Sequence, residues 1–224
     1  GISVLRAVFD LLEIEEMQVA QGALRQGALY DLLDREQPET DLRTATVNAL
    51  MQRFTVDTAH AERVAATACA LFRQAAAPGS ERAERKLEWA AKLHEVGCRI
   101  SHSDYHRHGA YILDNTDAAG FALPELHRLG ILVLGQRGKV RKLEADLSDA
   151  SFALQLICLR LAVALCHARR APDITEMQLL MEPGTFTLKI PSRWPQAFPQ
   201  SAHLLQEEMV AWQKTPWELR VQAD

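Results

Sequence analysis

The sequence predicts a mostly α-helical fold with a short β-hairpin near the C-terminus. Two observations carry this expectation. Apolar residues recur at helical spacing through most of residues 1–169, and the pattern changes to short alternating runs only after Pro172. With 48% hydrophobic and 24% charged residues, a chain of 224 residues has enough apolar material for a large core, in one large domain or two small ones.

Residues 1–13 read as a helix, with Ile2, Leu5, Val8, Phe9 and Leu12 on one face. Met17–Ala20 reads as a short strand and Ala23–Leu33 as a helix. The polar, proline-containing stretch 34–40 marks a boundary, separating residues 1–34 from a second domain over 41–224. Helices follow over Asp41–Arg53 and Asp57–Ala76. Asp57 is the expected N-cap, because its carboxylate can accept the free amide protons of the first turn. Pro78, Gly79 and Ser80 break the chain before a helix over Glu81–Val96. Helices over Asp104–Asn115, Pro124–Gly135 and Leu147–Arg169 come next, with Pro124 in a first turn, where its missing N–H costs nothing. Met177–Met181 and Thr185–Ile190 flank Glu182, Pro183 and Gly184 as a hairpin. A last helix over Ser201–Lys214 carries Leu204, Leu205, Met209 and Trp212. The long apolar helix at Leu147–Arg169 is a candidate dimer interface, and Trp194, Trp212 and Trp217 are candidates for core or interface.

A formal charge of −4 gives no global attraction to nucleic acid or an anionic membrane, so neither is an expected partner, and a polyanion needs a local basic patch. No apolar run is long enough to span a bilayer, and no signal-peptide pattern opens the chain. Cys69, Cys98, Cys158 and Cys166 lack CxxC spacing and lie in apolar stretches. They read as buried free thiols in a reducing, cytoplasmic compartment. Because the chain starts at Gly1 within an apolar segment, it is expected to be a piece of something longer.

The most informative stretch runs from Lys92 to His108 and holds four of the eight histidines within fifteen residues. A helix is expected to end at Gly97 and another to start near Ser103 or Asp104. Such a junction can build a metal site, an anion site or a polar helix contact. His60 falls in register with Val64, Ala68 and Leu71, and His94 with Leu87, Ala90 and Ala91, so both should face inward. This pair, with an acid after the second histidine, resembles the metal-binding pattern of HD-domain phosphohydrolases, in which imidazoles and carboxylates converge on a cation that activates water. It departs from that pattern at Glu95, where aspartate is usual. It departs again in the later helix, where Leu159–His167 offers no final aspartate near Cys166. The cluster His60, His94, Glu95 and His102 therefore reads as a degenerate HD site, with no metal assigned to it.

A more specific likeness covers nearly the whole chain. Glu15–Leu33, Asp41–Phe72, Leu87–Leu113, Leu132–Leu143 and Leu159–Leu165 resemble, in this order, the C-terminal portion of the exopolyphosphatase/guanosine pentaphosphate phosphatase family. The resemblance implies a helix–strand–helix remnant of an actin-like domain over 1–34 and an HD-like helical domain over 41–224. It implies that the catalytic glutamate and phosphate loops have no counterpart here, so no catalytic residue is assigned. It also implies no cofactor in this part, Mg2+ for an intact enzyme, and a homodimer. Gln26 stands where the family motif usually has glutamate, which puts a role for that position in doubt.

Gln136–Lys142 is the densest basic run and should form an exposed loop. Arginine can hold phosphate oxygens in pairs, lysine acts as a point charge, and Gly138 lets backbone approach an anion. Arg107, with His106 and His108, opens the helix after the histidine junction, where first-turn amides add attraction. Arg107, His108, Arg137, Lys139, Arg141 and Lys142 are therefore the candidate contacts for polyphosphate or guanosine pentaphosphate, between which the sequence does not choose. The expected function is to guide a polyanion and support dimerisation while the terminal phosphoanhydride is hydrolysed elsewhere. An active metal-dependent hydrolase, or a dimerisation scaffold alone, are the alternatives.

Overall fold

In the computed structural model, residues 2–14, 16 and 41–223 are described. The chain divides into two units, Gly1–Leu42 and Arg43–Asp224, each taken by itself. The first unit contains α1 (Ile2–Leu12), where helical periodicity places it. The expected strand at Met17–Ala20, the helix at Ala23–Leu33, Gln26 and the boundary at 34–40 lie outside the described residues.

From Leu42 onward the described elements are α2 (Leu42–Arg53), α3 (Thr58–Ala75), α4 (Glu81–Lys92), α5 (Tyr105–Asp114), α6 (Leu123–Gly135), α7 (Ala150–Leu165), β1 (Gln178–Glu182), β2 (Thr185–Ile190), α8 (Trp194–Ala197), α9 (Pro199–Trp212) and β3 (Glu218–Ala223). Among the described residues no helix is long and apolar enough to cross a membrane. Asp57 caps α3 as expected, its carboxylate accepting the His60 amide at 3.0 Å.

α7 is the axis of the core. Only Ala150, Ser151 and Val163 on it escape burial, so it is apolar all round and is packed by α3, α4, α6 and α9. The expected interface role of Leu147–Arg169 is thus corrected, because its apolar faces are spent inside this chain. The helix is also shorter than expected. Asp149 accepts the amides of Ser151 and Phe152, which starts the helix at Ala150, and at its far end Arg169 turns the chain with φ +54. Arg160 is the one cation buried on α7. It makes two bonds to Glu208 on α9, at 2.6 and 2.8 Å, and donates to the Gly135 carbonyl at 2.6 Å. That geometry satisfies a buried charge that would otherwise be costly.

The expected hairpin forms, its first strand one residue later than expected because Glu182 belongs to it, with Gln178 opposite Lys189 and Glu182 opposite Thr185. The chain then crosses through α8 and α9 and returns as β3, parallel to β2, making a three-stranded sheet of order β1-β2-β3. β3 was absent from the expectation, although Leu219 and Val221 alternate with Glu218, Arg220 and Gln222. Trp212 is fully buried and meets Phe186 edge-on, while Trp217 stacks on Phe186 at 4.6 Å and donates to the Leu147 carbonyl. With Trp194 also buried, these aromatics belong to the core.

α4 ends at Lys92, short of the expected Val96, and a 3-10 turn at Val96–Arg99 leads toward α5. Gly97 makes this break possible. A Cβ there would lie 2.0 Å from the Tyr105 carbonyl oxygen and 2.5 Å from the Gly109 amide nitrogen, both backbone atoms that cannot rotate away. Gly109 in turn lies against Val133 of α6 and Val96, where a Cβ would meet their side chains at 2.8 and 3.3 Å. Gly97→Ala should therefore lower unfolding free energy by about 3 kcal/mol or more in urea titrations, beyond ordinary overpacking. A loss below about 1 kcal/mol would mean the turn can move off α5 cheaply.

Candidate functional site

The break after α4 places two groups of polar residues on either side of one turn. The first is a cleft of ≈ 630 Å³ lined by Asp104, His106, Arg107, Leu134, Arg137, Lys139 and Lys142, with Gly135, Gly138 and Leu143. Its walls come from the start of α5 and from the loop after α6. Gln136 fixes that loop, since its buried amide donates to the His94 carbonyl. Val140 and Leu143 are buried in a 3-10 turn, which leaves Arg137, Gly138, Lys139, Arg141 and Lys142 exposed. The loop is exposed as expected, and it is pinned by Gln136, Val140 and Leu143.

Four cations face one carboxylate along this lining. Arg107 and Asp104 are 3.4 Å apart and both exposed, a weak pair that an anion can displace. Arg137 leans over the Tyr105 ring at 5.7 Å. Gly138 has φ +80, and the nearest atom to a Cβ there would be His106 Nε2 at 3.7 Å. His106 is buried, its Nδ1 has no hydrogen-bond partner, and burial pushes its pKa down, so it stands as a neutral imidazole in the wall. The ten-residue helix α5 starts beside the cleft, and the positive end of its dipole adds to the field there. Of the six expected anion contacts, the structure brings Arg107, Arg137, Lys139 and Lys142 onto this one lining. Arg141 is exposed and His108 half-buried, and neither lines it.

A second cleft of ≈ 400 Å³ shares Arg137 and Gly138 but is lined by Arg160, His167, Glu207 and Glu208. Arg160 there is already neutralised by Glu208, so Glu207 leaves this wall less suited to a polyanion.

The second group is the histidine cluster. One ring nitrogen each of His60 and His94 and one Glu95 oxygen lie within 4.8 Å of one another. The two rings are 5.4 Å apart between centroids. Both histidines are buried, as their helical register implied, although His94 stands in the turn after α4. His102 is exposed and lines a ≈ 300 Å³ cleft together with Glu95, Asp57 and Arg169, outside the three-residue cluster. His167 is also elsewhere, with Nδ1 3.0 Å from the Ala164 carbonyl. One residue here, Arg169, was not singled out from sequence. Arg169 donates to Asp57 Oδ2 and to Glu95 Oε1, each at 2.9 Å. A charged residue just past the end of α7, where the HD pattern keeps its last ligand, was the available signal.

Burial pushes the pKa of His60 below the usual histidine range and that of His94 down to about 4, while the Glu95 charge opposes both shifts. Both imidazoles are harder to protonate in the folded chain than in the unfolded one. The unfolded chain therefore takes up more protons between about pH 6.5 and pH 4, so stability is full above that window and is lost as pH falls through it. Denaturation midpoints should drop across this range, and His94→Gln should flatten the drop. Parallel pH profiles for the two proteins would contradict the assignment.

Residues 42–210 match the family described as Ppx/GppA phosphatase, domain III. Three similar relatives each carry the name guanosine-5'-triphosphate,3'-diphosphate pyrophosphatase. The chain is 34% identical over 227 residues to the one from Vibrio atlanticus, covering 99% of this chain and 46% of the relative. It is 34% identical over 228 residues to that of Aeromonas hydrophila, with 99% and 46% covered. It is 35% identical over 200 residues to that of Vibrio cholerae, with 87% and 40% covered. The chain thus spans less than half the length of these relatives. On the extent of the domain match and these identities, the chain belongs to the Ppx/GppA phosphatase family, through its domain III.

Proposed function

We propose that this chain is a substrate-holding, non-catalytic domain of a Ppx/GppA-type phosphohydrolase. It grips a polyanion, polyphosphate or guanosine pentaphosphate, while hydrolysis takes place on segments of the relatives' length that this chain does not span. The observation that carries the reading is the convergence of Arg107, Arg137, Lys139 and Lys142 on one cleft lining beside the start of α5. The relatives' printed names favour the nucleotide, whose phosphates present the same chemistry to this wall.

Multiple exposed cations suit a repeating anion. Each contact is weak, so one can release while the others hold, and the chain can advance without leaving. The reading places the protein in the cytoplasm, in keeping with four cysteines that form no disulfide. It also includes a homodimer, in which paired clefts would lengthen the track. Sedimentation of the chain tests that part. A monomer at all concentrations would remove it and leave the cleft reading in place.

The direct test is binding of long-chain polyphosphate and of tripolyphosphate to the wild type and to the double variant Arg137→Ala, Lys139→Ala. Both side chains are exposed, so the fold should survive their loss. Long-chain affinity should fall roughly tenfold, about 1.4 kcal/mol, and lose part of its salt dependence. Tripolyphosphate, short enough to use any remaining pair of cations, should lose much less. Equal losses for the two lengths would count against guidance.

A further inference from the structure

The second cleft, between α7, α9 and the loop after α6, adjoins the basic one. Arg137 and Gly138 belong to both linings, so a molecule held by phosphates on the basic wall can extend past them into this space. Its volume of ≈ 400 Å³ is in the range of small-ligand sites. The two linings differ in charge. The basic wall sets four cations against Asp104, whereas here Arg137 and Arg160 are matched by Glu207 and Glu208. A neutral group suits this side as phosphates suit the other.

The walls have the character of a nucleobase site. Val163 and Ala164 of α7, with Leu204 and Ala211 of α9, supply an apolar floor. Val163 is left half-buried on a helix that is otherwise almost wholly covered. The polar groups beside this floor call for donors. Gln136 spends its amide N–H on the His94 carbonyl, and its Oε1 is buried without a hydrogen-bond partner among the described residues. Glu207 is exposed and 3.7 Å from His203, a long pair that a ligand can replace. Arg160 is spent on Glu208 and the Gly135 carbonyl, which leaves Arg137 as the donor at the rim.

Resting on the reading of the basic cleft as a phosphate site, we propose that the second cleft is a guanine subsite and that the two together hold a guanosine polyphosphate. Guanine carries two donors, N1–H and the N2 amine, side by side on one edge, and two acceptors, O6 and N7, on another. The donor edge matches Glu207 and the Gln136 carbonyl, and the acceptor edge matches the Arg137 fork. Adenine spoils the match, because its N1 is an acceptor and meets the carboxylate lone pairs. A site made for donors rejects a ligand that lacks them more strongly than apolar contact does. Glu207 is then the residue that sets the choice of base.

The experiment measures binding of GTP, ATP and tripolyphosphate by calorimetry, to the wild-type chain and to Glu207→Ala. GTP and ATP carry the same phosphates, so a difference between them reports on the base. Glu207 is exposed on α9 and alanine is a strong helix former, so the variant should keep its fold by circular dichroism. Wild type should bind GTP tighter than ATP by roughly tenfold or more. Glu207→Ala should lose most of that preference, yet hold tripolyphosphate at least as well as wild type, since one negative charge is gone. Inosine triphosphate lacks the N2 amine and makes the test without a variant; it should bind wild type several-fold more weakly than GTP. Equal affinity for GTP and ATP, with tripolyphosphate still bound, overturns the guanine subsite and leaves the phosphate reading standing. A GTP preference that survives Glu207→Ala in the folded variant overturns it too. Failure of all three ligands to bind removes the phosphate reading and this inference with it.

Discussion

Gly97 lets the turn after α4 lie against the first turns of α5 at a separation that leaves no room for a methyl group. Both groups of polar residues take their positions from that contact. On one side the turn carries Glu95 toward His60 and Arg169. On the other it presents the His94 carbonyl to Gln136, which pins the loop bearing Arg137 and Lys139. A helix that ran on through Cys98 would draw that carbonyl into its own ladder, and the loop would lose its anchor. One backbone close approach thus spaces the cleft walls and assembles the histidine cluster.

The electrostatic pattern follows from where each cation finds its partner. Arg160 is buried and locked to Glu208, while Arg169 is shared between Asp57 and Glu95. Along the cleft, Asp104 is the one carboxylate facing Arg107, Arg137, Lys139 and Lys142. In a chain of net charge −4, the local positive surface of this lining therefore arises where cations outnumber the facing carboxylate.

Much of this was legible from sequence because it rests on local chemistry. The Asp57 cap, α2, α3 and the β1-β2 hairpin need only periodicity, a capping carboxylate and a Pro183-Gly184 turn. The errors share a cause. Val96 and Leu147 continue an apolar pattern past the true helix ends, since they are buried by neighbouring elements and not by their own helix. β3 is a six-residue alternation whose partner strand is reached only through a crossover. Arg169 reads as an ordinary exposed cation, and its role needs Asp57, 112 positions away, to arrive beside it. The inward placement of His60 and His94 was readable from register. The identity of the cation beside them was not, because an approach between distant segments decides it.

The described helices set a basic wall beside the start of α5, and we propose that polyanions bind on that wall. Amide chemical-shift mapping of the chain during titration with long-chain polyphosphate tests it most directly. Perturbations are expected to concentrate at Asp104–Arg107 and across Gly135–Leu143. Perturbations centred instead on Asp57, Glu95, His102 and Arg169, or none at saturating polyphosphate, would contradict it.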